Sequence, residues 1–416
     1  MEEARTADVA IIGAGIIGIA AAYMLQQAGR RVMLIDRRGI AEETSRGSAG
    51  GFAFSDVLPM ASSGVLRKLP GWLADPLGPL TIPPAYLPSI APYLLRFWRA
   101  GWPDRVAASI AAQSALMRLA ATEMAALVES AGIGHMVRSD GVLELYESEA
   151  ELAASEPGWQ ARRAEGIGFE HVRGTELSAL QPGLSPRFVA GTFIPQWQTV
   201  SDPYDFAVAI ADVVRQRGAE RVIAEVSAII PLSDGVTLQL ADGNAINALQ
   251  VVVAGGAWSK ALTAPLGDKP PLETERGYNT TLPNARFDLK RQLTFGGHGF
   301  VMTPLTSGIR VGGAVELGGL DLPPNFARAD AMLKKAKAFL PDLNIEGGKQ
   351  WMGFRPSLPD SLPAIGRSRV SPQIVYAFGH GHLGLTQSAA TGKLVTELLC
   401  GSPPSLDLTP FSPQRF

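Results

Sequence analysis

The stretch Val9 to Asp36, VAIIGAGIIGIAAAYMLQQAGRRVMLID, constrains this chain more than any other. Val9 to Ile12 form an apolar run suited to a strand buried on both faces. Gly13, Gly15 and Gly18 follow in G-x-G-x-x-G spacing, and a helical run then leads to a second apolar strand that ends at Asp36. Each glycine has a separate job. Gly13 permits the tight strand-to-helix turn, Gly15 lets backbone approach a pyrophosphate, and Gly18 lets the helix pack closely on the sheet. Ile16 and Ile17 open the helix, so the phosphates meet its positive N-terminus. Asp36, about 20 residues past the glycines, offers a carboxylate to the hydroxyls of an adenosine ribose, and Arg37 and Arg38 follow it. A dinucleotide-binding βαβ unit is expected here.

With 416 residues, 46% of them hydrophobic, the chain can bury a core too large for one simple domain, so two interleaved domains are expected. A net charge of -2 with no long basic run argues against nucleic acid as a partner. The single cysteine, Cys400, excludes an intrachain disulfide framework and a multi-thiolate metal site, and fits a cytoplasmic setting. Glu2, Glu3 and Asp8 precede the first apolar run instead of a basic region, so that run reads as core and not as a leader. No other run is long and apolar enough to span a membrane. Tyr93 to Trp102, YLLRFWRAGW, is an amphipathic segment that suits either a helix covering the substrate domain or a peripheral contact on the inner membrane face.

After Arg38 comes ETSRGSAGGFAF, in which Ser45, Arg46, Gly47, Ser48, Ala49, Gly50 and Gly51 form a small-residue loop suited to enclosing a flat, electron-rich ligand. Residues 59 to 103 are rich in proline and tryptophan and read as an irregular crossing between domains. A helix is expected from Val106 to Ala131 and a strand over Gly141 to Tyr146, while His135 and His171 read as ordinary surface or turn residues. Further on, Val222 and Val226 are candidate adenine neighbours. The buried strand Val251 to Val253 ends in a second glycine turn, Ala254, Gly255 and Gly256, followed by Trp258, at the ligand-binding edge of the sheet. Leu272 to Ile345 has the pattern of strands with polar residues at Arg276, Tyr278, His298 and Arg310. Arg310, inside an apolar strand, calls for an anionic partner. Finally, Gly379, His380, Gly381, His382, Leu383 and Gly384 run into a helix through Leu385 and Thr386, so amides and helix dipole point at something electron-rich.

Four of these pieces together resemble the D-amino-acid oxidase (DAO) superfamily of FAD enzymes, and most closely its bacterial D-amino-acid dehydrogenase branch. They are the glycine fingerprint, ETSRGSAGGFAFSDVLPMASSGVLRKLPGWLADPLGPLTIPP, ERGYNTTL, and MGFRPSLPDSLPAIG with GHGHLGLTQSAATG. The resemblance implies an α/β fold, α+β overall, with a Rossmann-type FAD-binding domain interleaved with a substrate domain on a mixed or antiparallel sheet. The expected division gives residues 1–85, 190–262 and 346–416 to the FAD domain, and 86–189 and 263–345 to the substrate domain. It further implies that the loop from Gly379 covers the flavin, that Gly353 and Arg355 of the G-[FL]-R-P motif border the cofactor, and that Arg355, with Tyr278 and Arg310, meets a substrate carboxylate.

The chain departs from many dehydrogenases of this branch at Gly47-Ser48-Ala49-Gly50 and at His382-Leu383-Gly384-Leu385. The latter version is similar to enzymes of cyclic imino acids, so the expected reaction is dehydrogenation of a D-amino or imino acid such as cis-4-hydroxy-D-proline or D-proline. The expected catalytic set is Arg355, Tyr278, Arg310 and His382. FAD is expected to be noncovalent, since Cys400 lies far down the last helix, and no metal site is expected. A quinone or carrier protein is the expected electron acceptor. Two alternatives share the motifs: an oxygen-using glycine or sarcosine type of oxidase, and the flavin subunit of a larger dehydrogenase.

Overall fold

The computed structural model describes residues 6–61 and 77–416. Glu2, Glu3 and residues 62–76 of the expected interdomain crossing lie outside the described residues.

Five parallel strands form the frame of the first sheet, in the order Glu220–Ile223, Val32–Asp36, Thr6–Ile12, Ala245–Val253 and Ile374–Phe378. Both faces of the central strands are covered, which is why Val9 to Ile11 and Val251 to Val253 carry no polar residue and have no solvent exposure. An antiparallel hairpin, Val226–Pro231 with Val236–Leu240, extends the first half of Ala245–Val253. The helix Ile16–Gln27 is apolar on every side and is buried from Ile16 to Leu25 apart from Ile17. It lies against the helix Gly384–Cys400, where a Cβ at Gly392 would sit 2.7 Å from the Ala20 carbonyl. Glycine there sets how closely the two backbones approach.

The second sheet runs Lys349–Ser357, Glu273–Leu282, Gly308–Glu316, Phe300–Leu305, Gln292–Phe295, Val142–Tyr146, Ala190–Ile194 and Glu170–Arg173. It is antiparallel except where Gln292–Phe295 meets Val142–Tyr146 and where Leu80–Thr81 joins the C-terminal end of Gly308–Glu316. Met332, Ala336 and Phe339 of the helix Ala327–Phe339 pack with Phe295, Phe300 and Val311 on one face. The opposite face turns toward the first sheet. A small sheet of Gly51–Phe52, Gln198–Val200 and Val137–Arg138 ties the two parts together.

Strand pairing shifts the expected division of the chain. Ala190–Ile194 pairs with Val142–Tyr146, and Lys349–Ser357 pairs with Glu273–Leu282, so both strands belong to the second sheet although the expected division places residues 190–262 and 346–416 in the FAD domain. The helix Pro103–Ser130 goes the other way, burying Leu116 and Ala120 against Ala390 and Leu394 of the Gly384–Cys400 helix. Leu87–Ala100 is helical despite its prolines. Pro88 occupies the first turn, where its missing N–H costs nothing, and Pro92 gives up one intrahelical bond.

Candidate active site

A cavity of about 740 Å³ separates the two sheets. At one end lies the turn after Thr6–Ile12. Gly13 has φ +105°, and a Cβ there would be 2.4 Å from the Ala254 carbonyl, so the two glycine turns press against each other. Gly18 does not line the cavity. Its job is packing, since a Cβ would lie 1.9 Å from the Gly13 carbonyl. The N–H groups of Gly15 and Ile17 have no intrahelical partner by position and border the cavity. Asp36 is aimed by three amides, from Ala14 at 2.9 Å, Arg38 at 2.8 Å and Gly39 at 2.9 Å. Arg37 lies 4.1 Å over the Trp258 ring and reaches Glu43 at 3.1 Å. Val226, Ala254, Gly255 and Gly256 complete this end, whereas Val222 packs in the core. Arg38 turns to Glu43 and does not border the cavity.

The loop expected to enclose a flat ligand is held from both sheets. Ser45 Oγ accepts the Ile16 amide at 2.9 Å, Thr44 donates to the Phe354 carbonyl at 2.7 Å, and Asn279 donates to the Gly47 carbonyl at 3.1 Å. Arg310 contributes most. Its guanidinium donates to the carbonyls of Ser48 at 2.6 Å and Arg46 at 3.2 Å, and lies 3.8 Å from Asp202. The anionic partner expected for Arg310 is therefore internal, and the residue positions the loop. Gly47, Ser48, Ala49 and Gly51 line the cavity; Gly50 turns the chain at φ +79°, and Arg46 points outward to Glu42 at 2.6 Å.

The cavity face of the second sheet is written by its register. Glu275, Gly277 and Asn279 stand directly opposite Arg355, Gly353 and Trp351. Directly opposed residues share a face, so all six project or open toward the cavity that they line. A Cβ at Gly277 would be 2.3 Å from an Arg355 Nη, and one at Gly353 would be 1.8 Å from the Trp351 ring. Both glycines make room for a large neighbour. Arg355 donates to the Ala314 carbonyl at 2.9 Å and the Gly313 carbonyl at 3.4 Å, leaving three of its five N–H donors. Ala314, at φ +55°, sits where the pairing with Glu273–Leu282 shifts register, and this bulge turns its carbonyl toward the guanidinium. Burial lowers the Arg355 pKa, and the Glu275 carboxylate pulls it back up.

Tyr278 departs from expectation. It alternates to the other face, where its hydroxyl donates to Glu316, accepts the Asn325 amide at 2.9 Å, and packs beside Phe326. Burial, then the Glu316 bond, pushes its pKa up to about 12. Its hydroxyl is committed there and is not aimed at a ligand.

At the C-terminal loop, Gly379 and Gly381 take φ values of +87° and +53°. Burial drives His380 down to about 3, so its ring is neutral; it bonds Thr391 at 2.9 Å. His382 extends into the cavity and meets Asp56 at 2.9 Å. Gly384 and Leu385 line the cavity, while Leu383 packs behind the loop and Thr386 accepts the Ala53 amide at 2.9 Å. Cys400 lies 16 residues along the helix from Gly384, about 24 Å away at 1.5 Å per residue.

The alternation that places Glu275, Asn279 and Trp351 in this site was present in ETERGYN and WMGFR. It becomes readable once the two strands are set side by side. Asp56, Trp197 and Gln292 also line the cavity, and no local pattern marks them.

The residues present fit FAD: a first glycine turn with no room for a Cβ at Gly13, pressed against a second glycine turn, amides at a helix N-terminus, an aimed acid, and a second helix N-terminus at the far end. The family model for FAD dependent oxidoreductases, DAO, matches residues 8–398. A D-amino-acid oxidase of Bradyrhizobium diazoefficiens is 36% identical over 423 residues, covering 100% of both chains. A D-amino acid dehydrogenase of Rhizobium johnstonii is 29% identical, covering 98% of this chain and 99% of its own. Among solved structures, glycine oxidase from Geobacillus kaustophilus has a TM-score of 0.75 at 24% identity, with 99% of each chain covered. L-proline dehydrogenase from P. horikoshii has a TM-score of 0.75 at 20% identity, covering 100% of this chain and 98% of its own. With its glycine turns, loop and sheet face arranged around one cavity, and with the family model matching nearly its whole length, this chain belongs to the DAO family of FAD-dependent oxidoreductases.

Proposed function

We propose that the chain dehydrogenates D-amino acids at the CH–NH bond, with a cyclic imino acid such as D-proline or a D-hydroxyproline as the preferred substrate. The observation that carries this reading is Arg355, a half-buried guanidinium with three uncommitted donors on the cavity face of the second sheet. Such a fork suits a carboxylate held at two points. The names of the two curated relatives support a D-amino acid, and the flat Trp351 wall over Gly353 suits a ring.

Bound FAD supplies the acceptor for the hydrogen leaving the substrate α-carbon. The work of the chain is position. Arg355 would hold the carboxylate at the second-sheet face of the cavity, which Gly384 and Leu385 also line. The Gly384–Cys400 helix presents its positive end to that region, where negative charge develops. Arg310 and Asn279 hold the opposite loop in place. His382 and Asp56 form a polar wall on one side, within reach of substrate.

A quinone or carrier protein is the proposed acceptor of the electrons. The helix Leu87–Ala100 exposes Leu95 and Trp98 beside Arg96 and Arg99, a surface suited to peripheral contact with an inner membrane face. Among the described residues no helix is long and apolar enough to cross a membrane. A second reading, an oxygen-using oxidase, is favoured by the oxidase name of the Bradyrhizobium relative. Anaerobic reduction by a D-amino acid followed by admission of air separates the two: slow reoxidation supports the dehydrogenase, and immediate reoxidation with hydrogen peroxide supports the oxidase.

A further inference from the structure

Glu275 lines the cavity, is 6% exposed, and has no hydrogen bond or ion pair among the described residues. A carboxylate taken that far from water is costly unless something charged meets it. The other carboxylate nearby is spent, since Asp56 bonds His382 at 2.9 Å and faces Arg162 at 3.7 Å. Glu275 stands directly across the ladder from Arg355, on the same face, yet the two form no ion pair within 4.0 Å, and Arg355 is instead drawn to the carbonyls of Ala314 and Gly313. An acid and a base thus stand side by side on the cavity wall, close enough for the Glu275 charge to act on Arg355 and His382, yet without a direct ion pair or hydrogen bond to either.

An amino acid at its ordinary ionisation carries a carboxylate and an ammonium on one carbon. We infer that Glu275 binds the ammonium of the substrate while Arg355 binds its carboxylate, so that the pair reads the zwitterion. This rests on the amino-acid reading of the site and adds its specificity element: plain carboxylic acids and hydroxy acids leave Glu275 buried and unmatched. The register explains the geometry. Gly277 and Gly353, the next residues on that face, carry no side chain between the two charges and the cavity.

The test uses the FAD-loaded protein and two ligands that differ by one ammonium group, α-aminocyclopentanecarboxylate and cyclopentanecarboxylate. The first has no α-hydrogen, so neither is oxidised and binding is read by calorimetry. Wild type binds the amino compound more tightly. In Glu275→Gln that preference falls by roughly tenfold to a hundredfold, the range for a hydrogen bond to a charged group, while cyclopentanecarboxylate binds as well as before or better. Glu275→Asp, which keeps the charge, retains part of the preference. A Glu275→Gln protein that kept its FAD and the full preference would overturn the assignment, as would one that lost its FAD, which would place Glu275 in the cofactor frame. Failure of both ligands to bind wild type would instead remove the amino-acid reading, and this assignment with it.

Discussion

His382 Nε2 lies 2.9 Å from Asp56 Oδ2, which joins the C-terminal loop to the segment after Phe54 on the wall of the cavity. Partial desolvation by the cavity wall pushes His382 down although its side chain is 38% exposed, but the hydrogen bond and charge of Asp56, with the charge of Glu275, outweigh it and carry the imidazole above its ordinary 6.5. For Asp56 burial acts upward, and His382 and Arg162 together hold it below 3.8. A raised folded-state histidine contributes stability below 6.5 that is lost as pH rises through the folded value. A lowered folded-state carboxylate contributes above 3.8 and is lost in acid. The melting temperature of wild type minus that of Asp56→Asn is therefore expected to be largest between pH 3.8 and 6.5 and to shrink as pH rises above 6.5 through the raised histidine value. A difference that stays constant as pH rises above 6.5 would show the pair is not ionised.

Arg355→Lys replaces a fork by a point charge in a half-buried site shaped by the Ala314 and Gly313 carbonyls. KM for the amino acid should rise by about tenfold to a hundredfold, the range for losing one charged hydrogen bond, with FAD still bound. Steady-state kinetics with the flavin spectrum recorded alongside checks both halves. An unchanged KM would remove Arg355 from the carboxylate site.

Arg310→Gln should behave differently, because Arg310 grips the carbonyls of Arg46 and Ser48 and not a ligand. The loop loses its anchor to the second sheet, and FAD is expected to dissociate more readily, seen as a rise in free flavin fluorescence on dilution. Substrate KM in FAD-saturated protein should change little. The reverse pattern, firm FAD and a large rise in KM, would return Arg310 to the substrate clamp.

These contrasts mark how far the sequence is legible. The function of Gly13, Gly15, Gly18 and Asp36 is written locally, because a tight turn, a close approach and an aimed acid all depend on residues near in the chain. The sheet face is different. Alternation in ETERGYN separates Glu275, Gly277 and Asn279 from Arg276 and Tyr278, but only the packing of Phe326 and Glu316 tells which set meets the cavity. For that reason Tyr278 reads as a clamp in sequence, whereas in the structure it borders the cavity with its hydroxyl bonded to Glu316 and the Asn325 amide. Arg310 and Arg355 look alike on paper, each a guanidinium in a strand. Arg310 finds its acceptors some 260 residues away in the chain, at a distance no spacing rule covers. The same holds for the strands Ala190–Ile194 and Lys349–Ser357, whose sheet is decided by partners distant in the chain.

The central claim, that this FAD-dependent oxidoreductase acts on D-amino acids, is tested most directly by mixing the purified yellow protein anaerobically with matched D- and L-amino acids, including both enantiomers of proline, and following the visible flavin band. The account predicts rapid bleaching by D-proline or a D-hydroxyproline and little by the L-forms. Bleaching by L-amino acids or glycine alone, with the D-forms inert, would contradict it.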